Sequence, residues 1–264
     1  MDVLLLGTGA ADGIPNAFCR CATCADHRAR GDLRTPTSAL VDGRLLIDPG
    51  PEAPRQASRL GRDLVDVTGM LIGHAHSDHL DGNVLMHRGW VTSAPLEIVG
   101  PAPAISEARA WVDPDQTAIS FTEVTAGDVV DLAGYTVTVL AANHEALGEA
   151  VCFHVDDGDS RLLYLTDTGP LPASTLDVLA RSAPADLVLL EETFGPSLGR
   201  SPGHLDFETF AAAVGELRGR GAVRDGARVV AVHLAHDNPP PGPLNDMLSR
   251  WGAEAVPDGS EIRC

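Results

Sequence analysis

His74-Ala75-His76-Ser77-Asp78-His79 packs three imidazoles and one carboxylate into six residues. The apolar run before it, Gly69-Met70-Leu71-Ile72-Gly73, reads as a buried strand that ends at a glycine turn. His74 and His76 are two apart, so in extended backbone their side chains point the same way. Asp78 and His79 follow after a bend and can face the same point from the other side. Nitrogen and oxygen donors at this density suit divalent ions such as Zn²⁺, Mn²⁺ or Fe²⁺. The plain alternative, a polar loop that happens to be histidine-rich, has to explain why matching donors recur far along the chain.

Those donors sit at the ends of apolar runs. His144 follows a strand over 136–142, Asp167 follows one over 162–166, and His233 follows one over 229–232. A single polar residue at a strand end is usually a turn former. Three of them, joined to the four in the histidine motif, point to one metal-binding edge of a sheet.

The chain has 264 residues and 44% hydrophobic content, enough for one substantial core. It contains no apolar run of about 18 residues, so no membrane span is expected. The N-terminus carries Asp2 where a secretion signal needs basic residues, and a cytoplasmic location is expected. The formal net charge of −18 repels nucleic acid and anionic membranes at long range. No basic patch offsets it, so extended nucleic acid and membranes are excluded as expected partners. A small anion remains compatible if metal ions supply positive charge locally.

Strands dominate the first part of the chain, helices intersperse and strands return with a helix late, without a linker, repeat or long low-complexity stretch, and one domain over 1–264 is expected. Hairpins are read around Asp42-Gly43, Ala133-Gly134 and Asp157-Gly158-Asp159. Helices are read over 54–60, 176–181, 207–218 and 244–251, and a helix or loop over 105–112. The glycine-rich turn Gly7-Thr8-Gly9-Ala10-Ala11-Asp12-Gly13 lacks the ending and spacing of a phosphate loop and reads as a tight strand exit lining a site. Pro239-Pro240-Pro241-Gly242-Pro243 reads as a rigid surface connector.

The H-x-H-x-D-H motif, followed in order by a strand-end His, Asp and His, resembles the metallo-β-lactamase superfamily, and the strand Leu45-Leu46-Ile47-Asp48-Pro49-Gly50 fits its second-strand pattern. That resemblance implies an α/β four-layer αββα sandwich with two divalent metal ions, Mn or Zn, at one edge. It implies His74, His76 and His144 on one metal, Asp78, His79 and His233 on the other, and Asp167 bridging. Asp48 would be either a turn residue or a carboxylate that fixes an imidazole tautomer.

Three of the five cysteines crowd into Cys19-Arg20-Cys21-Ala22-Thr23-Cys24, which suits a metal better than a disulfide framework. Together with Gly7-Thr8-Gly9 and Gly13-Ile14-Pro15, this cluster is similar to that of the phosphoribosyl 1,2-cyclic phosphate phosphodiesterases of phosphonate catabolism. The resemblance implies one structural Zn held by Cys19, Cys21, Cys24 and His236, in a closed tetrahedral Cys₃His site. His27 is the local competitor for the fourth position.

The same resemblance places a proton donor at His204, in Ser201-Pro202-Gly203-His204-Leu205-Asp206, with Asp206 as a helix N-cap. Either Glu191 or Glu192 is expected to orient His204 or a ligand. The expected activity is hydrolysis of a small cyclic phosphodiester, phosphoribosyl 1,2-cyclic phosphate-like or a 2′,3′-cyclic nucleotide, with Asp78, Asp167 and His204 as catalytic residues and a metal-activated water as nucleophile. Relatives form dimers, so a homodimer is one option for an oligomeric state that the sequence leaves open. The alternatives are a hydrolase of a thioester, lactone or other ester, a non-catalytic metalloprotein of cofactor biosynthesis, and a di-iron oxidoreductase. The last would need a separate flavin domain, which is not expected within these 264 residues. Transfer-RNA 3′-processing nucleases share the donor pattern but lack the cysteines and use an inserted RNA-gripping arm, which this sequence does not show.

Overall fold

The computed structural model describes residues 1–113, 118–144 and 148–264. In chain order the strands are β1 (Asp2–Gly7), β2 (Ser38–Val41), β3 (Leu45–Ile47), β4 (Gly69–Leu71), β5 (Leu96–Gly100), β6 (Ile119–Glu123) and β7 (Val129–Leu132). They continue as β8 (Tyr135–Ala141), β9 (Val151–Asp156), β10 (Arg161–Leu165), β11 (Ala185–Glu191), β12 (Val223–Val232) and β13 (Glu261–Arg263). The helices are α1 (Ala22–Arg30), α2 (Ala53–Arg59), α3 (Gly82–Gly89), α4 (Ala102–Ala110), α5 (Ala173–Leu179), α6 (Phe207–Gly219) and α7 (Pro241–Leu248).

Two sheets face each other. One runs β13-β1-β2-β3-β4-β5-β6 and the other β12-β11-β10-β9-β8-β7. Val3, Leu5, Val41, Ile47 and Leu71 of the first interlock with Val137, Phe153, Tyr164, Leu189 and Val232 of the second in one buried cluster. The alternate residues of the same strands face outward onto helices. Leu4, Leu6, Leu46 and Met70 pack with Ala57 of α2, Leu85 of α3 and Ile105 of α4. On the opposite side Leu163, Leu165, Val188 and Ala231 pack with Leu176 of α5, Phe210 of α6 and Leu244 of α7. Strands buried on both faces explain the continuous Val/Leu runs of β10, β11 and β12, which also pair in parallel. The result is the expected four-layer αββα sandwich. Among the described residues no helix is long and apolar enough to cross a membrane.

Several local readings are revised. The proline run is not wholly a connector, because α7 starts at Pro241 with proline in its first turn, where a missing N–H costs nothing. The segment read as helix or loop is helix α4, also entered through proline. Helices α1 and α3 and strand β13 went unread. Strand β12, the last one read, starts at Val223, six residues earlier than its apolar stretch, because most of its first half is exposed and carries Asp225 and Gly226.

Phe210 is fully buried on α6, with its ring centroid 6.0 Å from that of Trp251. Phe210→Ala is expected to cost about 3–5 kcal/mol of unfolding free energy, read by urea denaturation of the metal-loaded protein.

Candidate metal centre

Strand direction gathers the site. Asp48, His74, Asp167 and His233 follow the C-terminal ends of β3, β4, β10 and β12, and Glu191 closes β11. His144 follows β8, which runs antiparallel to β9 as β9 does to β10, so it leaves the sheet at the same edge. Three of these residues hold left-handed backbone despite their side chains: Asp48 at φ 50°, Asp167 at φ 51° and His233 at φ 56°. Such conformations cost about 1–3 kcal/mol each and turn the chain sharply, so the side chain is aimed off the sheet edge rather than across it. Gly50 marks another constraint, since a Cβ there would lie 2.0 Å from the carbonyl oxygen of Asp78.

All seven predicted donors converge. His74, His76, His144 and Asp167 form one set of mutually close donor atoms, and Asp78, His79, Asp167 and His233 form the second. Asp167 serves both sets with different oxygens. Its Oδ2 lies 3.5 Å from His74 Nε2 and 3.7 Å from His144 Nε2. Its Oδ1 lies 3.1 Å from both His79 Nε2 and His233 Nε2. Asp78 Oδ2 completes the second set, 3.1 Å from His79 Nε2 and 3.5 Å from His233 Nε2. In the first set His76 faces His74 Nε2 through Nδ1, at 2.8 Å.

The electrostatics call for cations. His79 Nε2 and Asp167 Oδ1 are buried without a hydrogen-bond partner. Burial opposes a charge on His79, yet Asp167, Asp48 and Asp78 around it raise its proton affinity well above normal. Burial, helped by His79, pushes the His74 imidazole down to about 2, which keeps it neutral as a ligand must be. The second ring nitrogens of His79 and His144 are committed elsewhere. Asp48 Oδ2 takes His79 Nδ1 at 2.8 Å while its Oδ1 accepts the Gly73 N–H at 2.8 Å. The Gly203 carbonyl takes His144 Nδ1 at 3.0 Å. Asp48 is therefore both the turn residue and the tautomer-fixing carboxylate, the two readings its sequence position left open. The early glycine turn also reaches this centre. Thr37 Oγ1 donates to the Gly9 carbonyl and accepts the His233 backbone N–H, both at 2.9 Å.

Cys19, Cys21, Cys24 and His236 form a separate convergent set, with His236 Nδ1 at 3.5 Å from Cys19 Sγ and 3.7 Å from Cys21 Sγ. His27, buried on α1, is outside that set. Helix α1 was hidden because its N-cap is Cys21, whose sulfur accepts the Cys24 N–H.

Next to the first two sets lies His204, 17% exposed at its side chain. Its ring stacks on His233 at 5.3 Å with planes 6° apart and meets His144 edge-on at 4.8 Å. Glu191 holds His204 Nδ1 at 3.1 and 3.2 Å through its two oxygens. Glu191 also accepts N–H groups from Thr168 at 2.5 Å and Leu205 at 3.0 Å. Glu192 points away and accepts the Gly195 N–H, so the choice between the two acids falls on Glu191. Burial pushes Glu192 up to about 8. Asp206 caps α6 as expected, in a reciprocal box with Thr209. Thr193, given no role from the sequence, touches both Glu191 and His233.

A family model for the β-lactamase superfamily domain matches residues 43–234. The chain belongs to the β-lactamase superfamily. A ribonuclease Z of Mycobacterium sp. (strain KMS) is 30% identical over 207 residues, covering 70% of this chain and 67% of that protein. The fold is shared with a diphosphatase from the PhnP family, at TM-score 0.77 and 20% identity, covering 100% of this chain and 97% of the other. It is equally shared with Zn²⁺-bound PqqB from Methylobacterium extorquens, at TM-score 0.77 and 19% identity, covering 100% of each chain. Within this superfamily the protein is a metallo-β-lactamase-fold hydrolase with donor clusters able to bind metal.

His236→Ala is expected to remove one zinc per chain and lower the melting temperature, whereas His27→Ala leaves the zinc count unchanged. Elemental analysis of the purified variants, with thermal denaturation, checks both.

Proposed function

We propose that the protein is a metal-dependent phosphodiesterase that opens a small cyclic phosphodiester, of the phosphoribosyl 1,2-cyclic phosphate or 2′,3′-cyclic nucleotide type. The observation that carries this reading is the Glu191-held imidazole of His204 lying beside the double donor set. The donors fit two divalent ions, Mn or Zn, and the cysteine cluster fits one structural Zn. Bound there, two ions supply a water activated near neutral pH and offset charge on phosphoryl oxygens.

The chain's own residues do the rest. Asp167 and Asp78 supply negative charge that holds the cations in place, and Asp48 and Gly203 lock two ligand rings. His204 is committed to Glu191 through Nδ1, which leaves Nε2–H to protonate a departing oxygen. A sugar alkoxide needs that proton; a nitrophenolate does not. Ring opening of a cyclic diester also releases its alkoxide within a molecule that stays bound as a monoester. The ribonuclease Z likeness supports phosphodiester chemistry, while the net charge of −18 favours a small substrate over extended nucleic acid.

Metal-loaded protein is expected to hydrolyse bis(p-nitrophenyl) phosphate and 2′,3′-cyclic AMP. Asp167→Ala should abolish both activities. His204→Ala should keep its metal and lose about 10²–10⁴-fold on the cyclic nucleotide alone. Full metal loading without cleavage of either diester would sink the phosphodiesterase reading and send the search to thioesters and lactones.

The pH profile gives a further check. Burial works against a charged His204, but the hydrogen bond and charge of Glu191, with Asp167 and Asp78 behind it, raise its pKa to about 9. The donor is the protonated ring, so turnover of the cyclic substrate should persist through neutrality and fall as pH rises through that region. Glu191→Gln removes the leading support and should move this alkaline limb to lower pH. An unmoved limb would separate Glu191 from the acid.

A further inference from the structure

We infer that Thr193 is a positioning residue that ties the proton-donating dyad to the metal-facing ring of His233, so that one hydroxyl sets the geometry of both. The inference rests on the reading of Glu191 and His204 as an acid dyad. Thr193 is 3% exposed and its hydroxyl lies 2.5 Å from Glu191 Oε2 and 3.0 Å from His233 Nδ1. A threonine hydroxyl has one proton to donate, and an ionised carboxylate can only accept. Thr193 therefore donates to Glu191. Its oxygen is then an acceptor for His233, which must carry its proton on Nδ1. That assignment leaves the His233 Nε2 lone pair directed at the oxygens of Asp167 and Asp78, 3.1 and 3.5 Å away. A lone pair facing two carboxylates is repulsive unless a cation stands among them, so the hydroxyl selects the tautomer that a metal requires.

The hydroxyl is held in register from both sides. The Thr193 N–H donates to Leu205 O at 3.1 Å, beside His204 on the same loop. Its carbonyl accepts the Ala235 N–H at 3.1 Å, two residues beyond His233, and the Asn238 amide at 3.1 Å. Thr193 thus sits between the loop carrying the acid and the segment carrying the ligand. Glu191 in turn accepts the Thr168 N–H, one residue after the bridging Asp167. Moving His233 to suit a metal moves the acceptor that aims His204. The donor that would meet a substrate's leaving oxygen is thereby aimed by the same side chains that would hold the ions.

The test compares Thr193→Val, close in shape but without the hydroxyl, with Thr193→Ser, which keeps it. His204→Ala is the control. Two readouts are taken on zinc-loaded protein: the ratio of 2′,3′-cyclic AMP to bis(p-nitrophenyl) phosphate turnover, and the Nδ1–H signal of His233 in ¹⁵N-histidine-labelled protein by NMR. Thr193→Val is expected to lower the turnover ratio by about 10–100-fold and to lose the exchange-protected Nδ1–H, with Thr193→Ser restoring both. An unchanged ratio or an unchanged Nδ1–H in Thr193→Val overturns the inference. If His204→Ala is selective for the cyclic substrate while Thr193→Val is not, only the inference falls. If His204→Ala is itself without selective effect, or the wild type cleaves neither diester, the acid reading fails and the inference falls with it.

Discussion

The site depends on one buried carboxylate offered in two directions. Asp167 is 2% exposed, and its oxygens face different donor sets, Oδ2 toward His74 and His144 and Oδ1 toward His79 and His233. Taking such a group out of water costs several kcal/mol unless charge of the opposite sign is close. Neighbouring imidazoles supply some of it, and they hold its proton affinity well below the ordinary carboxylate range against the effect of burial. Yet His74 is driven neutral, and Asp48 and Asp78 add further negative charge to the same space. The imbalance belongs to a pocket arranged for cations rather than for its own side chains. A group shared between two sets also couples them, since displacing it to favour one set loosens the other.

Building this edge conflicts with local preference, and the surrounding contacts show where the conflict is resolved. Asp48, Asp167 and His233 adopt left-handed backbone that no β-branched or bulky residue takes readily. Each is anchored nearby: Asp48 by Gly73 and His79, His233 by Thr37 and Thr193, and the residue after Asp167 by Glu191. The four-layer sandwich provides the rigidity for this. Strands β3, β4, β10 and β11 and the second half of β12 are buried on both faces, so their ends cannot drift, and polar residues placed at those ends inherit their precision.

This division explains what could be read from the sequence. The histidine motif and the strand-end His144, Asp167 and His233 were legible because each follows a short, strongly apolar run, and a strand fixes where its end projects. His236 was legible by resemblance, three residues past a ligand. The choice between Glu191 and Glu192 was not, because adjacent residues on a strand point to opposite faces and the sequence does not say which face holds the site. Helix α1 stayed hidden because sulfur replaced the usual oxygen at its N-cap, and the first turn of α7 was read as a connector because prolines that start a helix look the same as prolines that break one. Thr193 carried no role in the sequence beyond following the two acids. A single threonine after two acids carries no periodic signal, and its importance lies in which two side chains the fold brings to its hydroxyl.

The loop between β11 and α6 has a different character from the other elements of the site. Most donors project from strand ends, where the sheets set their position. His204 instead sits on irregular chain, which by itself could not hold an imidazole to within hydrogen-bonding tolerance. Contacts made inward compensate for this. Leu205 donates to Glu191, Gly203 accepts from His144, and Asp206 closes the loop by capping α6. The loop is thus fastened to the first donor set through His144 and to the second through Glu191, Thr193 and His233. An imidazole held this way takes its position from the candidate donor residues themselves, so in the proposed mechanism His204 is referenced to the same side chains that would hold the ions. Strand ends give the donors a fixed frame, and the loop borrows that frame instead of requiring one of its own.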